Sequence, residues 1–172
     1  MFVAVEILFF VGLLSAYFVS RASAGDWPPP DQPRLPIPVT ILNTFVLLAS
    51  GYFLFLAGKG IGYTRPWEGR FSGLFCTSFL LGVIFLVVQG REWFLLIKQG
   101  LTLQSSLYGS SFYVIIGSHA VHVLGALLFL GFLLARLYSR KEILRDHFLA
   151  AQVFWYFVVG IWPLLFLFLY VL

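Results

Sequence analysis

The chain has 172 residues, of which 60% are hydrophobic and only 10% charged, and its mean hydropathy is +0.95. A soluble domain carries about a quarter charged residues, and one of this size buries only about two-thirds of its surface. The composition, which includes 20 phenylalanines, therefore favours a lipid environment and excludes a soluble enzyme. The single cysteine, Cys76, cannot form an internal disulfide, which excludes a disulfide scaffold. The net charge of +4 comes from scattered basic residues, which indicate membrane topology and not a nucleic-acid partner.

Five segments are apolar enough, and at about 20 residues long enough, to cross a bilayer as helices. Their predicted limits are 2–20, 37–58, 71–90, 110–135 and 149–172. The segments between them carry prolines, glycines and charges, including the run Pro28-Pro29-Pro30, which cannot continue a helix. The sequence therefore predicts an all-α integral membrane bundle of five transmembrane helices that forms one domain over residues 1–172.

The first span ends in Ala22-Ser23-Ala24, small residues that resemble a signal-peptide cleavage site. It lacks a basic segment before the apolar run, and Glu6 interrupts that run, so we interpret it as a retained span. An ionisable group inside a membrane is costly and indicates function by default. Three interpretations of Glu6 stay open: a neutral acid hydrogen-bonded to another helix, a proton-linked or regulatory group, and an interfacial side chain.

Gln89 and Glu92 come near the end of the third predicted span, and their spacing of three residues places them on one helical face. This position is typical of an interfacial cap, and we interpret the pair in that way. Arg91 lies between them in sequence, and its long side chain can extend to the interface.

His119 and His122 share one face of the fourth span, at a spacing that also occurs in metal and haem sites. A metal site commonly needs three or four ligands, whereas no cysteine lies nearby and His147 is in a loop. One helix cannot place both imidazoles on opposite faces of a haem at this spacing. The pattern favours two structural imidazoles with hydrogen bonds to other helices, and a metal or haem site is the alternative.

Lysines and arginines are unequally divided between the two sides of the predicted bundle. Seven follow the second and fourth spans, namely Lys59, Arg65, Arg70, Arg136, Arg140, Lys141 and Arg145. Four lie on the other side, namely Arg21, Arg34, Arg91 and Lys98. The positive-inside rule therefore predicts a cytoplasmic N-terminus and a C-terminus outside.

Ordered polar motifs extend along nearly the whole chain. They are Glu6-x-x-Phe9-Phe10-x-Gly12, Asn43-Thr44-x-Val46-Leu47-Leu48-Ala49-Ser50-Gly51, Gln89-x-x-Glu92-Trp93 and Gly117-x-His119-x-x-His122. In this order they closely resemble subunit III of the haem–copper respiratory oxidases, the cytochrome c oxidase subunit III family.

The resemblance implies a non-catalytic subunit that stabilises the catalytic oxidase subunit I, supports proton uptake during oxygen reduction and binds phospholipid. Haem and copper are expected in partner subunits, so no metal ligand and no catalytic residue is expected in this chain. Glu6 matches the family's carbodiimide-reactive intramembrane glutamate, which makes it a candidate for a proton-linked or regulatory role. The remaining polar residues are implied to be structural contacts between helices: His119, His122, Gln89, Glu92 and Asn43. The expected location is the plasma membrane of a prokaryote.

The chain departs from the family pattern in two ways. It resembles a five-helix form that lacks the first two of seven helices, which leaves the family's lipid cleft incomplete. In the last span, Tyr156 and Val159 replace the usual His and Asp, and Pro163 is expected to kink the helix.

Other functions stay open on the sequence alone. Within the family, the chain could belong to a quinol oxidase or act as a protein associated with nitric oxide reduction. From other classes come a free-standing haem- or quinone-binding membrane protein that uses His119 and His122, and a small proton-linked transporter that uses Glu6.

Overall fold

The computed structural model describes residues 2–27, 29, 32–59, 70–141 and 143–172. Within these residues, five α-helices are long and apolar enough to cross a membrane. They are α1 (Phe2–Ser23), α2 (Ile37–Gly58), α3 (Arg70–Lys98), α4 (Leu107–Tyr138) and α5 (Arg145–Phe166), and α5 continues into a π-helical turn, Leu167–Val171. The predicted five-helix membrane bundle is confirmed. Pro28, Pro30 and most of the predicted loop 59–70 lie outside the described residues.

Three helices, α1, α3 and α4, are longer than the apolar runs that predicted them, whereas α2 has its predicted limits and α5 begins earlier than predicted, at Arg145. The predicted third span ends at residue 90, whereas α3 continues to Lys98, and α4 extends beyond its predicted span at both ends. The prediction stopped where charge begins at Arg91, but a helix can continue from the hydrocarbon into the headgroup layer because its backbone hydrogen bonds are internal. Gln89 and Glu92 consequently lie inside α3 and not at its end.

Pro163 lies inside α5. Proline has no backbone N–H, so it cannot donate the helical hydrogen bond to the carbonyl of Val159. Four residues after Pro163, the bonding pattern changes to that of a π-helix over Leu167–Val171, and the Leu172 N–H donates to the Leu167 carbonyl at 3.0 Å. This turn carries Tyr170 into the interior, where it is buried.

Three helices, α2, α3 and α5, form the tightest part of the bundle, which we call the three-helix core. Glycines allow the close approach: a Cβ atom on Gly82 of α3 would lie 2.7 Å from the Trp155 ring, and one on Gly51 of α2 would lie 3.1 Å from Val159. The Trp155 Nε1–H donates to the Ser50 hydroxyl at 2.8 Å, which joins α5 to α2.

The remaining helices differ in how firmly they join this core. α4 packs against both α3 and α5, whereas α1 packs mainly against α4. Only 11% of the most apolar stretch of α1 is buried, compared with 50% for α5. The two buried residues of α1 are Phe10 and Tyr17, and the Tyr17 hydroxyl accepts a hydrogen bond from Trp27 Nε1 at 3.1 Å.

Candidate functional site

Glu6 of α1 forms a direct link to His122 of α4. Glu6 Oε2 lies 2.8 Å from His122 Nε2, and the other ring nitrogen, Nδ1, lies 2.7 Å from the carbonyl oxygen of Ser118. Both side chains are largely enclosed, with 18% of the Glu6 side chain and 16% of the His122 side chain exposed. The imidazole is therefore oriented at both nitrogens.

This geometry fixes the number of protons in the link. A carbonyl oxygen only accepts hydrogen bonds, so His122 Nδ1 carries a proton and donates to Ser118. Nε2 is then an acceptor in a neutral imidazole, which requires a protonated Glu6, or a donor in an imidazolium, which requires an ionised Glu6. In either state one proton lies between Glu6 Oε2 and His122 Nε2.

The pair lies about halfway along α4 and about one turn from the start of α1. His122 is sixteen residues before the last residue of α4, Tyr138, which corresponds to about 24 Å along the helix axis. Glu6 is at the same level because it contacts His122 directly. Glu6 therefore contacts a neighbouring helix, and each of its three interpretations stays a prediction.

Aromatic rings surround this link. The Phe10 ring centroid lies 5.3 Å from that of His122, and Phe9 and Phe157 lie at 6.2 and 6.1 Å. These apolar neighbours limit water around the carboxyl and imidazole groups. Buried polar groups in such surroundings need hydrogen-bond partners, and the carboxyl and imidazole groups supply them to each other.

His119 has a different environment from His122. It is 1% exposed and stacks on Trp162, with ring centroids 5.0 Å apart. Neither ring nitrogen has a hydrogen-bond partner among the described residues. His122 thus bonds to another helix, whereas the contacts of His119 among the described residues are aromatic.

Asn43, Gln89 and Tyr170 connect three helical segments by hydrogen bonds. Asn43 Nδ2 of α2 donates to the Phe85 carbonyl at 3.0 Å and to Gln89 Oε1 at 3.3 Å. Gln89 Nε2 donates to the Tyr170 hydroxyl at 3.1 Å. Gln89 is 1% exposed, and its bonds join α3 to α2 and to the turn after α5.

Glu92 is buried on the same face of α3, where it is 6% exposed. Its Oε1 accepts from Arg91 Nη1 at 3.0 Å, and the Arg91 side chain is 71% exposed. The Glu92 side chain is thus inside the bundle, and the Arg91 side chain that contacts it is at the surface. The long side chain of Arg91 makes this contact possible.

The two departures in the last span have defined neighbours. The Tyr156 hydroxyl accepts a hydrogen bond from Gln152 Nε2 at 2.7 Å, and the same nitrogen lies 3.1 Å from the Leu54 carbonyl. Val159 packs against Gly51. Gln152 therefore joins α5 to α2 beside Tyr156. Gln152 was not predicted from the sequence, although a glutamine four residues before a tyrosine within an apolar span indicates a side-chain pair on one helical face.

An apolar groove of about 460 Å³ lies between α1 and α5. Ile7, Phe10 and Leu14 line its α1 side, and Gly160 and Ile161 contribute to its α5 side. In the described part of the chain, no group of three or more His, Cys, Asp or Glu side chains lies close enough to hold a metal ion.

The fold and these contacts define a multi-pass membrane protein whose buried polar side chains mainly join one helix to another. The family model for cytochrome c oxidase subunit III matches residues 1–172. This chain belongs to the cytochrome c oxidase subunit III family.

Individual relatives agree with this assignment. The cytochrome c oxidase subunit 3 of Corynebacterium diphtheriae is 37% identical over 180 residues, which cover 98% of this chain and 83% of that protein. The probable cytochrome c oxidase subunit 3 of Mycobacterium leprae is 36% identical, over 96% of this chain and 81% of its own. The Drosophila yakuba cytochrome c oxidase subunit 3 is 34% identical, over 99% of this chain and 66% of that protein. The predicted family is confirmed.

Proposed function

We propose that this chain is the non-catalytic subunit III of a terminal haem–copper oxidase in a prokaryotic plasma membrane. The match of the subunit III family over residues 1–172 is the observation that carries the proposal. The chain associates with other oxidase subunits, and we propose subunit I, which holds the haems and copper, as its direct partner. Its own polar residues then serve helix packing and proton balance, while the partner performs oxygen reduction.

Affinity purification from native membranes tests this function. A tag on the full chain should recover companion subunits, and the complex should show haem absorption and contain copper. The chain purified alone should show neither. A Soret band from the isolated chain would support the free-standing haem protein instead. Recovery with a nitric oxide reductase or with quinol oxidase subunits would assign the chain to those complexes.

For Glu6 we propose a proton-linked role based on the single proton that it shares with His122. The two protonation states of the pair have the same net charge, so a proton can move between Oε2 and Nε2 without adding charge to the bundle. Glu6→Gln keeps a donor to His122 but cannot ionise. In the assembled oxidase, it should shorten the turnover lifetime or lower proton-pumping efficiency while the initial rate stays near normal. Unchanged values for both quantities would leave Glu6 with a structural role.

The apolar groove between α1 and α5 supports a contact with a phospholipid acyl chain. Its walls are formed by aliphatic and aromatic residues, and Gly160 leaves space on the α5 side. Gly160→Leu should displace lipid from the purified complex, whereas Gly12→Leu, on the open side of α1, should not. Lipid extraction and mass spectrometry of both variants measure the difference.

We propose that the N-terminus faces the cytoplasm, on the basis of the seven basic residues that follow the second and fourth spans. Cysteines introduced at Lys59 and Arg140 should resist a membrane-impermeant thiol reagent added to intact cells and should react in opened cells. A cysteine at Arg34 should react in both. Labelling of the first two sites in intact cells would reverse the orientation.

A further inference from the structure

A second groove lies at the other end of the α2–α3 hairpin from Asn43 and Gln89. It has a volume of about 240 Å³ and lies between the last turn of α2 and the first turn of α3. Its lining residues, which define the α2–α3 groove, are Leu56, Lys59, Arg70, Phe71 and Leu74.

The α2–α3 groove brings two cationic side chains from different helices to one cavity. Lys59 follows the end of α2, and Arg70 is the first residue of α3. Lys59 Nζ also lies 4.5 Å from the Phe55 ring centroid, a cation–π contact that holds the ammonium beside the apolar surface of α2. The two cations that line the groove, Lys59 and Arg70, favour an anionic ligand.

The order of residues along the two helices matches the order of groups in a phospholipid. Both cations are at span ends, where headgroup phosphates lie. Leu56 comes three residues before Lys59, and Leu74 comes four residues after Arg70, so both leucines lie about one turn deeper in the membrane. A free phosphate would use the two cations alone, whereas a lipid would also use this apolar wall.

We propose that the α2–α3 groove binds the headgroup of an anionic phospholipid, with Lys59 and Arg70 contacting the phosphate and Leu56 and Leu74 contacting the start of an acyl chain. A guanidinium matches two phosphate oxygens at once, and an ammonium adds a compact point charge. This inference extends the phospholipid contact proposed above to a second position on the chain. It does not depend on which oxidase the chain joins.

Native mass spectrometry of the full chain in detergent tests the proposal. The probes are phosphatidylglycerol, which is anionic, and phosphatidylcholine, which has no net charge. The test variant is the double substitution Lys59→Gln/Arg70→Gln. A basic residue near an anionic lipid contributes on the order of 1 kcal/mol, so the affinity for phosphatidylglycerol should fall roughly 10- to 30-fold. Binding of phosphatidylcholine should not change.

Two further variants separate a specific site from general charge and from misfolding. Lys59→Arg/Arg70→Lys keeps both charges and should retain phosphatidylglycerol. Arg140→Gln/Lys141→Gln removes the same charge at the turn between α4 and α5, outside the α2–α3 groove, and should also retain it. Glycerol phosphate, which carries the headgroup without acyl chains, should not compete at equal concentration.

Three results would overturn the inference. The first is unchanged phosphatidylglycerol binding in Lys59→Gln/Arg70→Gln. The second is an equal loss in Arg140→Gln/Lys141→Gln, which would mean attraction to the basic end as a whole. The third is competition by glycerol phosphate, which would mean a soluble-anion site. None of these results affects recovery of the oxidase subunits with the tagged chain, so the two proposals can fail separately.

Discussion

The three-helix core and α1 lie at opposite extremes of packing in this bundle. In the core, the Ser78 hydroxyl donates to the Ser50 carbonyl at 2.8 Å, and Trp155 donates to the Ser50 hydroxyl, so α2, α3 and α5 meet around one serine. In the described residues, α1 has no comparable set of hydrogen bonds that joins it to two other helices. It is joined to α4 chiefly by the Glu6–His122 link and by Phe10, which packs against the rings of both histidines.

The bonds that join the core helices to one another and the bond that joins α1 to α4 use different kinds of polar groups. The bonds of the core use amides, hydroxyls and indole N–H groups, which keep their protons at any physiological pH. The link to α1 uses a carboxyl and an imidazole, both of which can gain or lose a proton. Loss of the Glu6–His122 contact should therefore loosen the docking of α1 while the core stays intact, since weakly packed elements open at lower free energy.

The largest effect is expected from overpacking the core at Gly82. A Cβ atom there would lie 2.7 Å from Trp155 and 2.9 Å from Leu127. Gly82→Leu should lower the free energy of unfolding by about 1–3 kcal/mol or more. Gly90→Ala on the same helix is the matched control, since nothing lies within 4 Å of its Cβ position. Thermal unfolding in detergent measures both variants, and equal stability would mean that the core is looser than its geometry indicates.

The next effect is expected in α1. Glu6→Leu removes the partner of His122 Nε2, and an unpaired buried nitrogen costs about 1–3 kcal/mol. Hydrogen exchange should accelerate in α1 and stay unchanged in α2. Glu6→Gln should largely preserve protection because its amide can donate to Nε2. Ser15→Ala, which removes a hydroxyl bonded only within α1, is the control. Faster exchange throughout the bundle would show that α1 and the core unfold together.

The sequence predicted the helices well and the contacts between them poorly. An apolar run of about 20 residues is long enough to cross the bilayer as a helix, so all five spans were predicted. The limits of α2 were also predicted correctly, whereas the end of α3 was missed because Arg91 ends the apolar run but not the helix. The motif resemblance identified the family and singled out Glu6, yet its partner His122 is 116 positions away in the chain, and no local spacing reports such a pair.

The roles of individual polar residues were harder still to predict. The spacing of His119 and His122 gives no reason to distinguish them. In the structure, however, His119 stacks on Trp162 and His122 contacts Glu6. Gln89 was predicted near a helix end because the predicted third span stops at residue 90. α3 instead continues to Lys98, and Gln89 is buried against its neighbours. In each case the missing information is which neighbouring helix faces the side chain. That depends on packing across the bundle and not on nearby sequence.

A smaller effect is expected for the bond between Trp155 and Ser50. A double-mutant cycle with Trp155→Phe and Ser50→Ala isolates it, since each change removes one partner of a 2.8 Å bond. Bonds between membrane helices contribute about 0.6 kcal/mol on average and up to about 1.7 kcal/mol. The full burial of both residues places this bond toward the upper value. A coupling energy of zero would mean that packing alone stabilises the contact between α2 and α5.

The smallest effect is expected at His119. Both ring nitrogens are buried and have no partner among the described residues, and the ring is held by Trp162, Phe85 and Phe10. Replacing a buried polar group that lacks a partner by an apolar group of similar shape is nearly neutral or stabilising. His119→Phe should therefore leave the unfolding temperature and the haem and copper content of the assembled complex unchanged. His122→Phe, the matched variant one turn away, should destabilise α1 because it leaves Glu6 without its partner. A large loss of stability or metal in His119→Phe alone would mean that His119 has a polar partner supplied by another molecule in the complex.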